Sequence, residues 1–133
     1  MLKITSEIWA ALVRHAQNGL PHEVCGYLAE KEGRVVVYYE MTNTDAAHDH
    51  FSMKPEEQFK AVKDMRQKGL VLRAVYHSHP ETPARPSQED IKLAYDPQLS
   101  YVIISLAETD PVIRSFRINK GEVAEEPLER IDA

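Results

Sequence analysis

The feature that most constrains the fold is an apolar run at residues 70–76 that ends abruptly in His-Ser-His-Pro at residues 77–80. Such a run is typical of an inner β-strand that is covered on both faces. Prolines at positions 80, 83 and 86 follow, and proline cannot donate a ladder hydrogen bond, so the strand must end there. We therefore expect His77 and His79 to lie at the end of a central strand.

Helical signals occur on both sides of this strand. A first helix can be capped by Thr5 or Ser6, and its apolar positions repeat at helical spacing up to the stop signal at residues 18–19. Pro55 is a favoured first-turn residue for a second helix that ends at Gly69. The face of the second helix that we expect to pack consists of Phe59, Val62, Met65 and Arg66.

Strand signals fill most of the remaining chain. Apolar runs at residues 24–29 and 34–40 flank the turn sequence Glu-Lys-Glu-Gly, which predicts a β-hairpin. Residues 42–50 have no apolar period and are expected to form a loop, and residues 87–95 a short helix. Further strands are expected at residues 51–53, 101–106, 112–118 and 121–123.

Helices and strands in this mixed order predict an α/β sandwich, with a mixed β-sheet flanked by helices. A chain of 133 residues can bury one core but not two, so we expect a single domain over residues 1–133. No window approaches the roughly 20 apolar residues of a membrane-spanning helix. The first 16 residues also lack the apolar core and cleavage site of a secretory signal, so we expect no membrane association and no such signal.

Net charge and cysteine content narrow the classes of partner and compartment. The formal net charge is -5 with both signs interspersed, so the chain lacks the basic stripe that nucleic-acid binding needs. Cys25 is the single cysteine, which excludes an internal disulfide and a cysteine-rich zinc site and favours a reducing cytoplasm. We expect Cys25 and Trp9 to be core residues.

His77 and His79 are two residues apart, so in an extended strand both imidazoles project from one face and can converge on a metal. The proline-rich segment can turn the chain back, so that Asp90 in the next helix supplies a third ligand. Two histidines and one carboxylate leave a position open for water, which is typical of a catalytic zinc site. Ser78 projects to the opposite face, where we expect it to pack.

The His-x-His pair and residues 87–90 each also have a structural interpretation that involves no metal. Pairs of the form His-x-His are common at strand ends, and the chain contains a second pair, His48 and His50, which we expect in a solvated loop. Residues 87–90 can form a capping box, in which a hydroxyl and a carboxylate satisfy free amides. Capping and ligation are compatible, because we expect each to use a different oxygen. The combination of both features with the prolines and the buried strand favours a metal site.

A hydrolytic metal site also needs a general base that is not itself a ligand. Glu23 is the candidate, because this carboxylate lies at the start of an apolar strand. Its structural alternative is an ordinary solvated strand end. The remaining histidines, His15 and His22, are expected at the surface.

The combined pattern resembles the JAMM (MPN+) zinc metalloprotease family, in its short prokaryotic type. The motif of that family is an upstream glutamate, then His-Ser-His-Pro, six further residues and Ser-x-x-Asp. Glu23, residues 77–80 and residues 87–90 match it at every position, with Glu-Thr-Pro-Ala-Arg-Pro between the last two parts. The order of elements along nearly the whole chain is also similar.

The resemblance implies a cytidine-deaminase-like fold and a zinc-dependent peptidase or isopeptidase. It implies that His77, His79 and Asp90 bind Zn²⁺, that Glu23 is the general base and acid, and that Ser87 stabilises the oxyanion. The implied substrate is a bond at the C-terminus of a ubiquitin-like sulfur carrier protein. The extended tail of that carrier could bind by adding a strand to an exposed sheet edge near the metal.

Two other functions remain open from the residues alone. A catalytically silent scaffold domain of the same fold would have lost metal ligands, and none is missing here. A non-haem iron(II) enzyme can also use two histidines and one carboxylate, but that chemistry leaves Glu23 unexplained.

Overall fold

The computed structural model describes residues 1–132, and Ala133, the last residue of the expected domain, lies outside the described residues. Strands and helices are interspersed along the chain. The strands are β1 (Leu2–Thr5), β2 (Cys25–Lys31), β3 (Arg34–Met41), β4 (Val71–His79), β5 (Ser100–Ser105), β6 (Val112–Asn119), β7 (Glu122–Glu126) and β8 (Leu128–Ile131). The helices are α1 (Ser6–Gly19), α2 (Pro55–Gln67) and α3 (Gln88–Lys92).

One mixed sheet contains these strands in the order β7-β6-β5-β4-β2-β3-β1-β8. Strand β4 pairs in parallel with β5 and antiparallel with β2, and β1 pairs in parallel with both β3 and β8. β4 is therefore an inner strand, and His79 is its last residue. The predicted α/β architecture with a mixed sheet flanked by helices is confirmed.

Helix α1 covers one face of the sheet. It begins where the sequence predicts, because Thr5 is the N-cap and its Oγ1 accepts a hydrogen bond from Ile8 N at 3.4 Å. Ile8, Leu12 and Ala16 form an inward stripe and pack in a core with buried residues of the sheet. Trp9 lies at the border of this core and is partly buried.

Helix α2 belongs to the second core, on the other side of the sheet. Its buried residues are Ala61 and Met65, whereas Phe59 is 71% exposed and Arg66 is exposed as well. The predicted packing face was therefore partly wrong. Residues 58, 61, 62 and 65 form a stripe at helical spacing, and positions 59 and 66 are each rotated about 100° away from it.

Two short strands were absent from the sequence-based prediction. β1 and β8 pair with each other over four residue pairs, from Leu2 with Leu128 to Thr5 with Ile131. Each is only four residues long, which is too short for an apolar period to identify it, so its strand geometry depends on its partner. Residues 51–53, by contrast, form no strand; only an isolated bridge joins Met53 to Asn43.

His15 is not a surface residue, contrary to expectation. Its side chain is 13% exposed, and Nδ1 shares a hydrogen bond of 2.8 Å with the hydroxyl of Tyr76. Position 15 follows Ala11 by four residues and so extends the inward stripe of α1. Tyr76 is fully buried against Gly26, where any Cβ would overlap the tyrosine ring. Burial lowers the pKa of His15, although the Glu40 carboxylate opposes this effect.

No helix within residues 1–132 combines the length and the apolar character that crossing a bilayer requires.

Candidate metal and catalytic site

The end of β4 brings together three side chains that could hold a metal ion. His77 and His79 are each 4% exposed, and their Nε2 atoms are 3.1 Å apart. Oδ2 of Asp90 lies 3.1 Å from each of these nitrogens. The two imidazoles therefore project from one face of the strand, and the first turn of α3 returns to meet them, as the spacing predicts.

Hydrogen bonds to the surrounding backbone hold these ligands in place. His79 Nδ1 lies 2.9 Å from the carbonyl oxygen of Pro83. This contact makes Nδ1 the protonated nitrogen and leaves the lone pair of Nε2 directed at the site. Proline-stiffened residues 80–86 thus set the tautomer of one ligand as well as turning the chain.

The helix cap supplies the third ligand. Ser87 N donates to Asp90 Oδ2 at 2.9 Å, and Asp90 N donates to Ser87 Oγ at 3.0 Å, which completes the predicted capping box of α3. The expectation that capping and ligation use different oxygens was wrong. Oδ2 of Asp90 both faces the two imidazole nitrogens and accepts from Ser87 N, and its two lone pairs suffice for one metal bond and one hydrogen bond.

The donor set fits a small divalent cation. Three atoms that can each donate a lone pair to a cation, Nε2 of His77, Nε2 of His79 and Oδ2 of Asp90, stand in a triangle with sides of 3.1 Å. Ligands of a tetrahedral zinc with bonds of about 2.0 Å lie about 3.3 Å apart. These ligands form the one group of His, Cys, Asp and Glu side chains within residues 1–132 that could hold a metal ion.

The electrostatics of this group favour a cation as well. Burial alone would raise the pKa of Asp90, but hydrogen bonds with His77 and His79 outweigh it and hold that pKa well below its ordinary value. The pKa of His79 is raised: burial opposes the positive charge, yet contacts with Asp90 and the Pro83 carbonyl prevail. Positive charge, carried by a proton or a metal ion, is thus stabilised between these side chains.

Glu23 lies next to this group and is not a solvated strand end. It is 4% exposed, and its Oε1 has no hydrogen-bond partner among residues 1–132. Burial raises the pKa of Glu23 to about 8; the positive charge of His79 opposes that shift, and Asp90 reinforces it. An unpaired buried carboxyl group is costly to a fold, which makes a function for it the natural explanation.

A cavity of about 390 Å³ opens beside the three candidate metal ligands, two of which, His77 and Asp90, line it. The ring of Phe51 stacks on the imidazole of His77, with centroids 4.9 Å apart. The sequence did not predict this aromatic lining, because its members are distant in the chain. Its aromatic members besides His77 are Tyr27, Phe51, Tyr95 and Tyr101, and Met53 and Leu93 add apolar surface.

Other candidate residues lie outside the cluster of Glu23, His77, His79 and Asp90, the candidate reactive group. Cys25 is fully buried, and burial raises its thiol pKa to about 12, which suits a core residue. His22 and His48 are exposed, and His50 Nδ1 lies 2.8 Å from Asp49 Oδ1. Ser78 is buried, and its Oγ accepts a hydrogen bond from Val24 N at 2.8 Å, a contact that the sequence did not predict.

The expected strand addition at a sheet edge near the metal does not match the topology. Strand β4 already has β5 and β2 as neighbours. Within residues 1–132 the edges of the sheet are β7 and β8, three and four strands away from β4. An extended substrate would therefore have to meet the site from the cavity rather than from a free edge of β4.

Comparison with known proteins agrees with the motif. A family profile described as prokaryotic homologs of the JAB domain (Prok-JAB) matches residues 5–119. The CysO-cysteine peptidase of Mycobacterium tuberculosis is 36% identical over 135 residues, covering 99% of this chain and 92% of that protein. A desampylase of Haloferax volcanii is 30% identical, over 78% of this chain and 80% of that protein.

Among solved structures, a protein from Desulfitobacterium hafniense has a TM-score of 0.91 at 46% identity, covering 100% of this chain and 94% of that one. Sequence and structure thus agree over nearly the whole length. This chain belongs to the prokaryotic JAB family, the short prokaryotic type of the JAMM/MPN family that its motif resembles.

Proposed function

We propose that this protein is a zinc-dependent peptidase or isopeptidase that cleaves a bond at the C-terminus of a ubiquitin-like sulfur carrier protein. The observation that carries the proposal is the buried carboxyl group of Glu23, whose Oε1 has no partner among residues 1–132, beside three converging side chains that could hold a metal ion. The names of two relatives, a CysO-cysteine peptidase and a desampylase, support the substrate class. The single buried cysteine supports a reducing compartment such as the cytoplasm.

His77, His79 and Asp90 would hold the zinc ion. When bound, zinc supplies Lewis acidity that polarises a carbonyl group and lowers the pKa of water to about 7. The chain itself contributes the orientation of the ligands. The Pro83 carbonyl fixes the ring of His79, and the amide of Ser87 fixes the carboxylate of Asp90.

Glu23 would transfer the proton. Its pKa of about 8 reflects a site without a cation, and a positive charge nearby would lower that pKa and ionise the carboxyl group at neutral pH. The ionised Glu23 accepts a proton from the attacking water and delivers it to the departing nitrogen. The absence of a hydrogen-bond partner on Oε1 within residues 1–132 leaves that oxygen free for this exchange.

Ser87 would stabilise negative charge on the substrate. Its Oγ accepts a hydrogen bond from Asp90 N at 3.0 Å, which fixes the oxygen at the start of α3. The hydroxyl proton remains free to be donated. A donor that is held in place before the reaction stabilises a developing oxyanion without reorganisation.

The test is incubation of the metal-loaded protein with ubiquitin-like carriers that bear a C-terminal cysteine, a longer extension or an isopeptide-linked lysine. Intact-mass spectrometry identifies the bond that is cut, and elemental analysis identifies the metal. We expect about one zinc per chain and release of the carrier with a free C-terminus. Zinc without cleavage of any conjugate would favour the silent scaffold, and iron with oxygen-dependent turnover would favour an oxygenase.

A further inference from the structure

Asn43 is a half-buried amide that connects the loop at residues 42–54 to the segment carrying Glu23. Its Nδ2 donates to the carbonyl oxygens of Glu23 and His50, each at 3.0 Å. Its Oδ1 accepts from the backbone nitrogens of Asp45 at 3.1 Å and Ser52 at 3.2 Å. These four bonds use both donors and both acceptor positions of the amide.

Two of the partners of Asn43 flank a residue that contacts His77. Phe51, which stacks on His77, lies between His50 and Ser52, two of the three loop residues that bond to the amide. One amide therefore links the backbone of Glu23 to the ring that covers a metal-binding imidazole.

The segment of Glu23 is held from two sides. The loop contacts it through Asn43 and through Ala47, whose carbonyl oxygen accepts from Glu23 N at 2.7 Å. Strand β4 contacts it through Ser78, whose Oγ accepts from Val24 N and whose own nitrogen donates to Val24 O at 3.0 Å. Because β4 also carries His77 and His79, these contacts set the distance between the base and the ligands.

We propose that Asn43 is a positioning residue for Glu23: its side-chain amide holds the base and the Phe51 segment in register with the three metal-binding side chains. This inference rests on the proposed hydrolytic function. Asn43 acts through the backbone of Glu23, and not on the substrate. The loop has no regular secondary structure of its own apart from the bridge between Asn43 and Met53, so side-chain bonds largely determine its conformation.

The test compares Asn43→Ala with Thr44→Ala. Thr44 is a neighbour in the same loop, and its Oγ1 donates to the carbonyl oxygen of Ser52 at 3.2 Å, without contacting Glu23. We expect Asn43→Ala to lower kcat about tenfold or more at every pH of the profile, with KM within about threefold and zinc content unchanged. Thr44→Ala should stay within about twofold of the unmodified protein.

Hydrogen exchange of backbone amides gives a readout that does not require turnover. In the unmodified protein the amides of Glu23 and Ser52 should be protected. In Asn43→Ala both should exchange at least about tenfold faster, whereas in Thr44→Ala the Glu23 amide should be unchanged. Asn43→Asp keeps the two acceptor contacts and loses the two donors, so it should release the carbonyl of Glu23 while preserving protection of Ser52.

The possible outcomes separate this inference from the proposed function. Failure of the unmodified protein to cleave any conjugate would refute the function, and the exchange pattern would still decide whether Asn43 holds Glu23. Full kcat in Asn43→Ala, or free exchange of the Ser52 amide in the unmodified protein, would overturn the inference. Unfolding of both Asn43 variants would also overturn it, because Asn43 would then serve general stability.

Discussion

Glu23 and Glu126 are two buried carboxyl groups in opposite electrostatic conditions. Glu23 is 4% exposed and Glu126 is 7% exposed. Oε1 of Glu126 accepts hydrogen bonds from the hydroxyls of Ser100 at 2.6 Å and Ser115 at 2.9 Å, and its Oε2 pairs with Arg73 at 3.2 Å. Oε1 of Glu23 has no such partner within residues 1–132.

The difference shows that hydrogen-bond donors and nearby cations, rather than burial, decide whether a buried carboxyl group is charged. Burial is the largest single influence on the pKa of each group, and by itself it would raise both pKa values. Donors and the guanidinium of Arg73 reverse that effect at Glu126, whose pKa is lowered, whereas Glu23 reaches about 8. The contacts of Glu126 thus link strands β4, β5, β6 and β7, whereas the carboxyl group of Glu23 remains available to bind a proton.

The largest expected effect is on activity at Glu23. Glu23→Gln keeps the shape of the side chain but cannot carry a proton, so we expect cleavage to fall by about 10² to 10⁴-fold. Zinc content and thermal stability should stay near those of the unmodified protein, because Oε1 has no hydrogen bond with residues 1–132 to lose. Conjugate cleavage, elemental analysis and thermal unfolding measure the three quantities, and normal cleavage would show that the base is another residue.

Glu126→Gln should show the reverse pattern. Loss of the charge leaves Arg73 without its buried partner and weakens the bonds to two hydroxyls, so we expect a loss of about 2 kcal/mol in the free energy of unfolding. Activity of the folded variant should be unchanged. Denaturant unfolding checks the first result, and a large fall in kcat without destabilisation would refute the division of roles.

A smaller effect is expected when one donor is removed from Glu126. Ser115 is fully buried and donates to Oε1, which also has the shorter bond from Ser100. Ser115→Ala should cost about 1 kcal/mol and should move the pKa of Glu126 upward, towards the condition of Glu23. NMR titration of the carboxyl carbon follows the pKa, and an unchanged value would mean that Ser100 and Arg73 lower it without help from Ser115.

The smallest effect is the opposite pH dependence of the two acids in metal-free protein. Glu126 has a lowered pKa, so its contribution to stability is present above the ordinary value of 4.5 and is lost as pH falls below it. Glu23 has a raised pKa, so its contribution is present below 4.5 and is lost as pH rises to about 8.

Single-site variants separate the stability contribution of Glu23 and that of Glu126 from the contributions of the other carboxylates. The melting temperature of Glu23→Gln relative to the unmodified, chelated protein should rise between pH 5 and about 8, the window set by the raised pKa. The melting temperature of Glu126→Gln should be lower than that of the unmodified protein at neutral pH and should approach it as the pH falls below 4.5. A flat difference curve for Glu23→Gln would show that this carboxyl group is already ionised without metal.

Local patterns were sufficient to predict much of the reactive group. His77 and His79 share a face because alternate residues of a strand do so, and Ser87 and Asp90 meet because a capping box spans three residues. Thr5 as the cap of α1 and the hairpin of β2 and β3 follow from equally short-range signals.

Contacts between distant residues could not be predicted in the same way. The chain gives no local sign that His15 meets Tyr76, 61 positions away, or that Glu126 meets Arg73, 53 positions away. The same holds for β1 and β8, whose pairing joins opposite ends of the chain. The packing face of α2 was misjudged because Phe59 is apolar, yet the helix is oriented by Ala61 and Met65.

By itself the sequence determined the family motif, the inner strand and the ligand spacing, because strand alternation and helix capping act over two or three residues. Only the tertiary structure decided that Glu23 lies beside His77, His79 and Asp90 with no hydrogen-bond partner for its Oε1 among residues 1–132, that Asn43 Nδ2 donates to its carbonyl oxygen, and that donors on other strands lower the pKa of Glu126. The physical reason is that the charge and reactivity of a buried group depend on which distant residues surround it, and the folded sheet alone assembles those neighbours.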